Sequence, residues 1–186
     1  MAIARPVEIT RKRMTEDEFM RLPDNGRKYE LVDGEAKEVP ANFEHDVIGG
    51  NVVFALKSCA KGVGFVAISQ AGFRMTTSNL RCPDVSFTHK SRLVGGKPGK
   101  GFGDAAPDLC IEIISPSEDA ADSRRKLREY FASGAKYVWH MHPEPQTIKV
   151  FTSPTEFRIY NSDEHIDCVD LIPDFRASVA DLFALE

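Results

Sequence analysis

The chain has 186 residues, 42% of them hydrophobic and 28% charged, which is the length and composition of a soluble globular protein with one core of its own. Its formal net charge is −4, so no overall basic surplus marks it as a nucleic-acid binder, although Lys and Arg gathered on one face would escape such a sum. No run approaches the ~18 apolar residues of a membrane span, and Met1-Ala-Ile-Ala-Arg-Pro6 lacks the apolar stretch of a signal peptide, which predicts a cytoplasmic protein with no membrane partner.

The cysteines (Cys59, Cys82, Cys110 and Cys168) are dispersed and form no C-x-x-C pair. That argues against a disulfide framework and against zinc or iron–sulfur ligation. Residues 1–13 read as an extended, partly basic arm, and 14–186 as a single domain. Thr15-Glu-Asp-Glu18 has capping-box spacing, so a short helix is expected to start there and run to Leu22. After the turn cluster Pro23-Asp-Asn-Gly26, the runs Lys28–Val32 and Glu35–Val39 flank Asp33-Gly34, a strong hairpin signal. Residues 43–60 carry Ile48, Val52, Leu56 and Cys59 at helical spacing, ended by Lys61-Gly62.

Gly64–Ile68 and Ala71–Met75 read as a second antiparallel pair, followed by a strand from Asp84 to Phe87. Residues 90–106 read as a mobile loop rich in Gly and Lys that could touch a polyanion. Gly95-Gly-Lys-Pro-Gly-Lys-Gly-Phe-Gly103 does not match the phosphate-binding loop and precedes a strand rather than a helix. A buried strand follows around Glu112, then a helix from Asp122 to Ala132 stopped by Gly134. Tyr137–Met141, Thr147–Phe151 and Glu156–Tyr160 read as strands, and Val179–Leu185 as a short apolar helix. The order of elements predicts an α/β (α+β mixed-sheet) protein with helices packed on a mixed sheet.

The run Asp108-Leu-Cys-Ile-Glu112-Ile-Ile-Ser115 places one carboxylate in an apolar strand. An ionised carboxylate out of water costs several kcal/mol or more unless a cation, a metal, a proton or water compensates it. A second acid, Asp84, ends Arg81-Cys-Pro-Asp84 one strand earlier, and Lys126 follows on the next helix. Two hard carboxylates suit Mg²⁺ or Mn²⁺, and a lysine beside them could orient water or offset charge in phosphodiester hydrolysis.

Simpler readings stay open. Asp84 could merely start a strand after Pro83, Glu112 could pair with a buried cation, and Asp122 with Lys126 could form a surface pair four residues apart. At about 100° per residue, Lys126 borders the packed face beside Tyr130, and His45 falls near the stripe of Val52 and Leu56, facing inward as a core histidine or a site residue. Glu30 and Glu35 flank the Asp-Gly turn, where Glu30 is solvated or reaches the site. His89, His140, His142 and His165 show no defensible ligand spacing.

Several segments occur in a telling order: Tyr29-Glu-Leu-Val-Asp-Gly-Glu35, His45 with its helix, Arg81-Cys-Pro-Asp-Val85, Pro107-Asp-Leu-Cys-Ile-Glu-Ile-Ile-Ser-Pro-Ser117, Asp122-Ser-Arg-Arg-Lys126, Tyr130, Gly134 and Trp139. In that order they resemble the Uma2 (DUF820) family, restriction-endonuclease-like proteins of the PD-(D/E)XK nuclease superfamily. The likeness covers roughly residues 14–183 and implies a restriction-endonuclease-like core, a mixed β-sheet flanked by helices, with an extra N-terminal hairpin.

It further implies Mg²⁺ (or Mn²⁺) bound by Asp84 and Glu112. The lysine role, absent at Ile114, moves to Lys126, and His45 and Glu30 face the same site. The chain departs from the family pattern at Trp139-His-Met-His-Pro143, where many relatives read Trp-Leu-Val-Asp-Pro. The functional expectation is a metal-dependent DNA endonuclease. A homodimer is expected because cutting both strands needs two sites or two visits. The alternatives are a nuclease fold that binds nucleic acid or protein without turnover, and a hydrolase of another phosphoester.

Overall fold

The computed structural model describes residues 13–23, 25–39, 42–116 and 119–186; the expected N-terminal arm lies outside these apart from Arg13. Helix α1 (Glu16–Met20) starts at the expected capping box, with both reciprocal bonds between Thr15 and Glu18 made. Strands β1 (Lys28–Val32) and β2 (Glu35–Val39) form the expected hairpin. Its two linking residues, Asp33 and Gly34, both have positive φ (53° and 78°), as the tight turn that matches strand twist requires. Helix α2 (Phe43–Ala60) has the expected bounds.

The remaining elements are β3 (Gly64–Ile68), β4 (Phe73–Arg74), β5 (Leu80–Arg81), β6 (Val85–His89), β7 (Leu109–Ile113), α3 (Ala120–Ala132), β8 (Tyr137–His142), β9 (Thr147–Phe151), β10 (Phe157–Tyr160), β11 (His165–Asp167), β12 (Arg176–Ser178) and α4 (Val179–Leu182). Six strands make a mixed sheet in the order β10-β9-β8-β7-β6-β3, in which β7 and β8 are parallel and the other pairs antiparallel. A smaller sheet has the order β2-β1-β5-β4. This is the α/β mixed-sheet architecture the element order predicts.

Alternation along the central strands sorts the core into two layers. Ile111 and Ile113 of β7, Trp139 and Met141 of β8, and Ile148 and Val150 of β9 pack with Ile48, Val52, Leu56 and Ala60 of α2. On the opposite face Cys110, Val138 and Phe151 pack with Leu127 and Tyr130 of α3. Glu112 lies between Ile111 and Ile113 and so falls on the α3 face.

One expected strand pairing needs correcting. Gly64–Ile68 does not pair with the segment after it; β3 runs antiparallel to β6 over five residues, from Gly64 opposite His89 to Ile68 opposite Val85. β4 instead pairs with β5 in the smaller sheet. Neighbours in sequence pair only about two-thirds of the time, and here the chain leaves one sheet and returns. Strands β11 and β12, three residues each, were too short to show a period.

The Gly- and Lys-rich loop contains 3₁₀ turns at Lys90–Arg92 and Val94–Gly96. Its far end is tied to β4, where Gly103 donates to the Gly72 carbonyl at 2.9 Å and accepts from Arg74 N at 2.8 Å.

Leu56, fully buried between α2 and the sheet, is a direct test of this packing. Leu56→Ala is expected to lower stability by roughly 2–5 kcal/mol, read from the urea midpoint. Val94→Ser, at a residue 96% exposed, should stay within about 0.5 kcal/mol of the parent.

Candidate active site

Where β6 begins and β7 ends, the antiparallel register brings Asp84 beside the last residues of β7. Asp84 Oδ2 accepts from the backbone N of Ile113 at 2.9 Å, fixing this carboxylate next to Glu112. His45, from the first turn of α2, places Nε2 2.7 Å from the Ile113 carbonyl and 3.3 Å from Asp84 Oδ2. A carbonyl only accepts, so Nε2 carries a proton. Lys28 of β1 reaches Asp84 Oδ1 at 3.5 Å.

Glu112 is held from α3. Tyr130 OH donates to its Oε1, and Lys126 Nζ donates to Oε2 at 3.3 Å. The same Nζ lies 3.7 Å from Oε1 of Glu30. Side-chain exposure falls from 22% at His45, through 12% at Asp84, Lys28 and Lys126, to 6% at Glu112, so the cluster is nearly dry yet open at one end.

Behind this cluster Arg81 is fully buried. Its Nη1 donates to Glu30 Oε2 at 2.9 Å and its Nε to Glu129 Oε2 at 2.7 Å, while Nη2 lies 3.6 Å from Asp122. Glu30 Oε1 also accepts from Cys82 N at 2.9 Å, and Asn79 donates to Glu129 Oε1 at 2.7 Å. Each buried charge therefore has an opposite partner and hydrogen bonds, the condition under which buried ions persist.

Burial pushes the Glu112 carboxyl up to about 7; Lys126 opposes this, and the neighbouring charges of Asp84 and Glu30 reinforce it. Asp84 moves the other way. Burial alone would raise it, but the bond and charge of His45, Lys28 and the Ile113 N–H hold it below the usual aspartate range. Burial works against the His45 cation, yet Asp84, the Ile113 carbonyl and Glu112 raise its pKa. The site thus pairs one firmly ionised acid with one near the point of protonation.

For a cation the site offers hard oxygen: the Asp84 and Glu112 carboxylates, and the second lone pair of the Ile113 carbonyl. Among the described residues no group of three or more His, Cys, Asp or Glu could hold a metal ion. Two carboxylates, with water and substrate oxygens completing the shell, suit Mg²⁺ or Mn²⁺. The donor set fits those ions.

The structure brings together the five residues the sequence singles out: Asp84, Glu112, Lys126, His45 and Glu30. Lys126 turns further inward than a margin position, towards Glu112 and Glu30, and Asp122 takes Arg125 at 2.7 Å. Glu35 is exposed on β2. His140, opposite Glu112 in the parallel β7–β8 register, is buried, and that burial, with His142, Lys149 and Lys126 nearby, lowers it to about 4.

Sequence reasoning missed Lys28, Arg81, Glu129 and the Tyr130 hydroxyl as parts of the cluster. Two signals were present. Lys28 alternates with Glu30 on one strand face, and Asp122, Lys126 and Glu129 recur at helical spacing beside Tyr130.

The family model for Uma2, described as "Putative restriction endonuclease", matches residues 16–180. A crystal structure of a protein described as "a putative nuclease belonging to DUF820", from Anabaena variabilis, matches with a TM-score of 0.79. The two are 22% identical over 91% of this chain and 97% of that one, a likeness that speaks for the fold. No curated protein matches the chain.

Arg81→Met removes the cation between Glu30 and Glu129 and is expected to cost about 3–5 kcal/mol in denaturant unfolding. A carboxyl whose pKa rises from 4.5 to about 7 on folding binds more protons folded than unfolded between those values, so its contribution to stability falls as pH rises through that window. Glu112→Gln should therefore flatten the decline in melting temperature between pH 4.5 and 7 relative to the parent.

Proposed function

From the premise that this chain belongs to the Uma2 family, we propose that the Asp84–Glu112 cluster is the active site of a Mg²⁺- or Mn²⁺-dependent endonuclease that hydrolyses DNA phosphodiesters. The family description and the fold support a nuclease in general; the DNA substrate, the metal and the residue roles are this proposal. The observation that carries it is the unequal pair of acids. Lys126 does not fully compensate Glu112, whose proton affinity burial holds near neutral, with the charges of Asp84 and Glu30 adding to the effect. A divalent cation between two such acids relieves their repulsion.

In this reading Asp84 and Glu112 hold the metal. When bound, the ion would polarise the phosphodiester and lower the pKa of the attacking water. Lys126, between Glu112 and Glu30, orients that water and offsets charge growing on the phosphate. Tyr130 keeps one Glu112 oxygen fixed, so the other faces Lys126. His45 anchors Asp84 against the Ile113 carbonyl, and Lys28 supplies positive charge beside Asp84. Glu30 sets the position of Lys126 and ties it to the buried Arg81. A homodimer would present two such sites to one duplex.

Purified protein should nick or cut plasmid DNA with Mg²⁺ or Mn²⁺ and lose that activity with chelator. Glu112→Ala and Asp84→Ala should abolish cleavage, and Lys126→Ala should reduce it by about 10²-fold or more. Cleavage that survives Glu112→Ala sinks the assignment. DNA binding without cleavage under either metal would favour the non-catalytic module, and turnover of small phosphoesters but not DNA would move the substrate class. Mn²⁺ should also raise the melting temperature of the parent but not of the Asp84→Ala/Glu112→Ala double variant.

A further inference from the structure

Helix α2 has a second face that the candidate site does not use. Ile48, Val52, Leu56 and Ala60 point into the core. At about 100° per residue, Phe43, Val47, Gly50 and Phe54 lie on the opposite side. Phe43 is 86% exposed and Phe54 80%, while Gly50 between them has nothing within 4 Å of the place a Cβ would occupy.

A glycine inside a helix costs about 1 kcal/mol relative to alanine, and packing among the described residues gives no reason for it at 50. Gly49 next to it differs, since its Cβ would meet the Ile113 side chain at 3.7 Å. The chain therefore carries an apolar stripe with a gap in it, aimed away from its own core.

Charge along the same helix says what covers the stripe. Asp46 and Lys57, both exposed, stand eleven residues apart, within about 20° of each other on one flank. A two-fold axis that pairs two copies of the helix antiparallel reverses order along the helix but keeps each flank beside the same flank of its partner. With the axis level with residue 52, Phe54 of each copy sits over Gly50 of the partner subunit. Asp46 then comes within one residue of the height of Lys57 of the partner subunit.

On the other flank Asn51 donates to the Ala184 carbonyl at 2.7 Å, which ties the C-terminal residues, with Leu185 60% exposed, to α2. Apolar stripe, gap and charges are all satisfied by one self-complementary register, the property of an isologous contact.

We propose that the outward face of α2, with the adjoining C-terminal residues, is a homodimer contact in which Phe54 of each copy packs over Gly50 of the partner subunit. It gives the homodimer suggested above its surface, but it stands on this face alone and can fail while the nuclease reading holds. A contact of one helix and a tail is at the small end of stable interfaces, so association is concentration-dependent.

Sedimentation velocity over a concentration series tests it. The parent should approach twice the chain mass as concentration rises. Phe54→Glu should stay monomeric with its circular dichroism melt intact, and Gly50→Glu, which fills the gap with charge, should do the same. Asp46→Lys should weaken association and Asp46→Lys/Lys57→Glu should recover it, while Phe157→Glu on β10 should leave it unchanged. A parent that is monomeric throughout, a dimer that survives both Phe54→Glu and Gly50→Glu, or a charge swap without recovery would each overturn the proposal. DNA cleavage by a monomeric Phe54→Glu protein bears only on the nuclease reading.

Discussion

The arrangement depends on one buried cation. Arg81 has no solvent exposure, yet its guanidinium is shared by Glu30 of β1 and Glu129 of α3, with Asp122 nearby. Those contacts join the smaller sheet, the turn that leads through Cys82-Pro83-Asp84 into β6, and the helix that carries Lys126 and Tyr130. A guanidinium is suited to this because its planar fork serves two carboxylates at once and cannot lose its proton to escape burial. Removing water from such a group is costly, so the geometry around it has little freedom.

That rigidity matters because the neighbouring cluster is electrostatically unbalanced. Asp84 is held ionised by His45, Lys28 and a backbone N–H, whereas Glu112 has one lysine and one hydroxyl against burial and two nearby acids. Lys126 and the Tyr130 hydroxyl lower the Glu112 pKa, but burial and the two neighbouring acids outweigh them. The carboxyl therefore stays near neutral proton affinity. Strongly perturbed carboxyls beside a specific charge partner mark functional-site candidates, and the proposed cation would complete this one.

The two faces of α2 divide the labour of the molecule. Its inner face and first turn build the core and deliver His45 to Asp84; its outer face, apolar and interrupted by Gly50, is the surface proposed to meet a second copy. Both rest on a single 18-residue helix, so the proposed dimer contact and the proposed site share a scaffold without sharing side chains.

By itself the sequence determined what local chemistry determines. The Asp33-Gly34 hairpin, the Thr15–Glu18 capping box, the extent of α2 and the buried run around Glu112 follow from turn residues, caps and periodicity, and each appears where it was expected. Glu112 was legible as a candidate because a carboxylate in an apolar strand demands compensation, with Asp84 and Lys126 as nearby partners, whereas His45 and Glu30 joined the set through the resemblance to the Uma2 family.

Which groups answer that demand was decided by tertiary structure. Arg81 meets Glu30 and Glu129 across 51 and 48 positions of chain, Lys28 meets Asp84 across 56, and β3 finds β6 rather than its nearest neighbour. No local period encodes such separations. They arise only when the sheets and α3 close on one another, and the cost of burying charge then leaves few arrangements in which every ion has its partner.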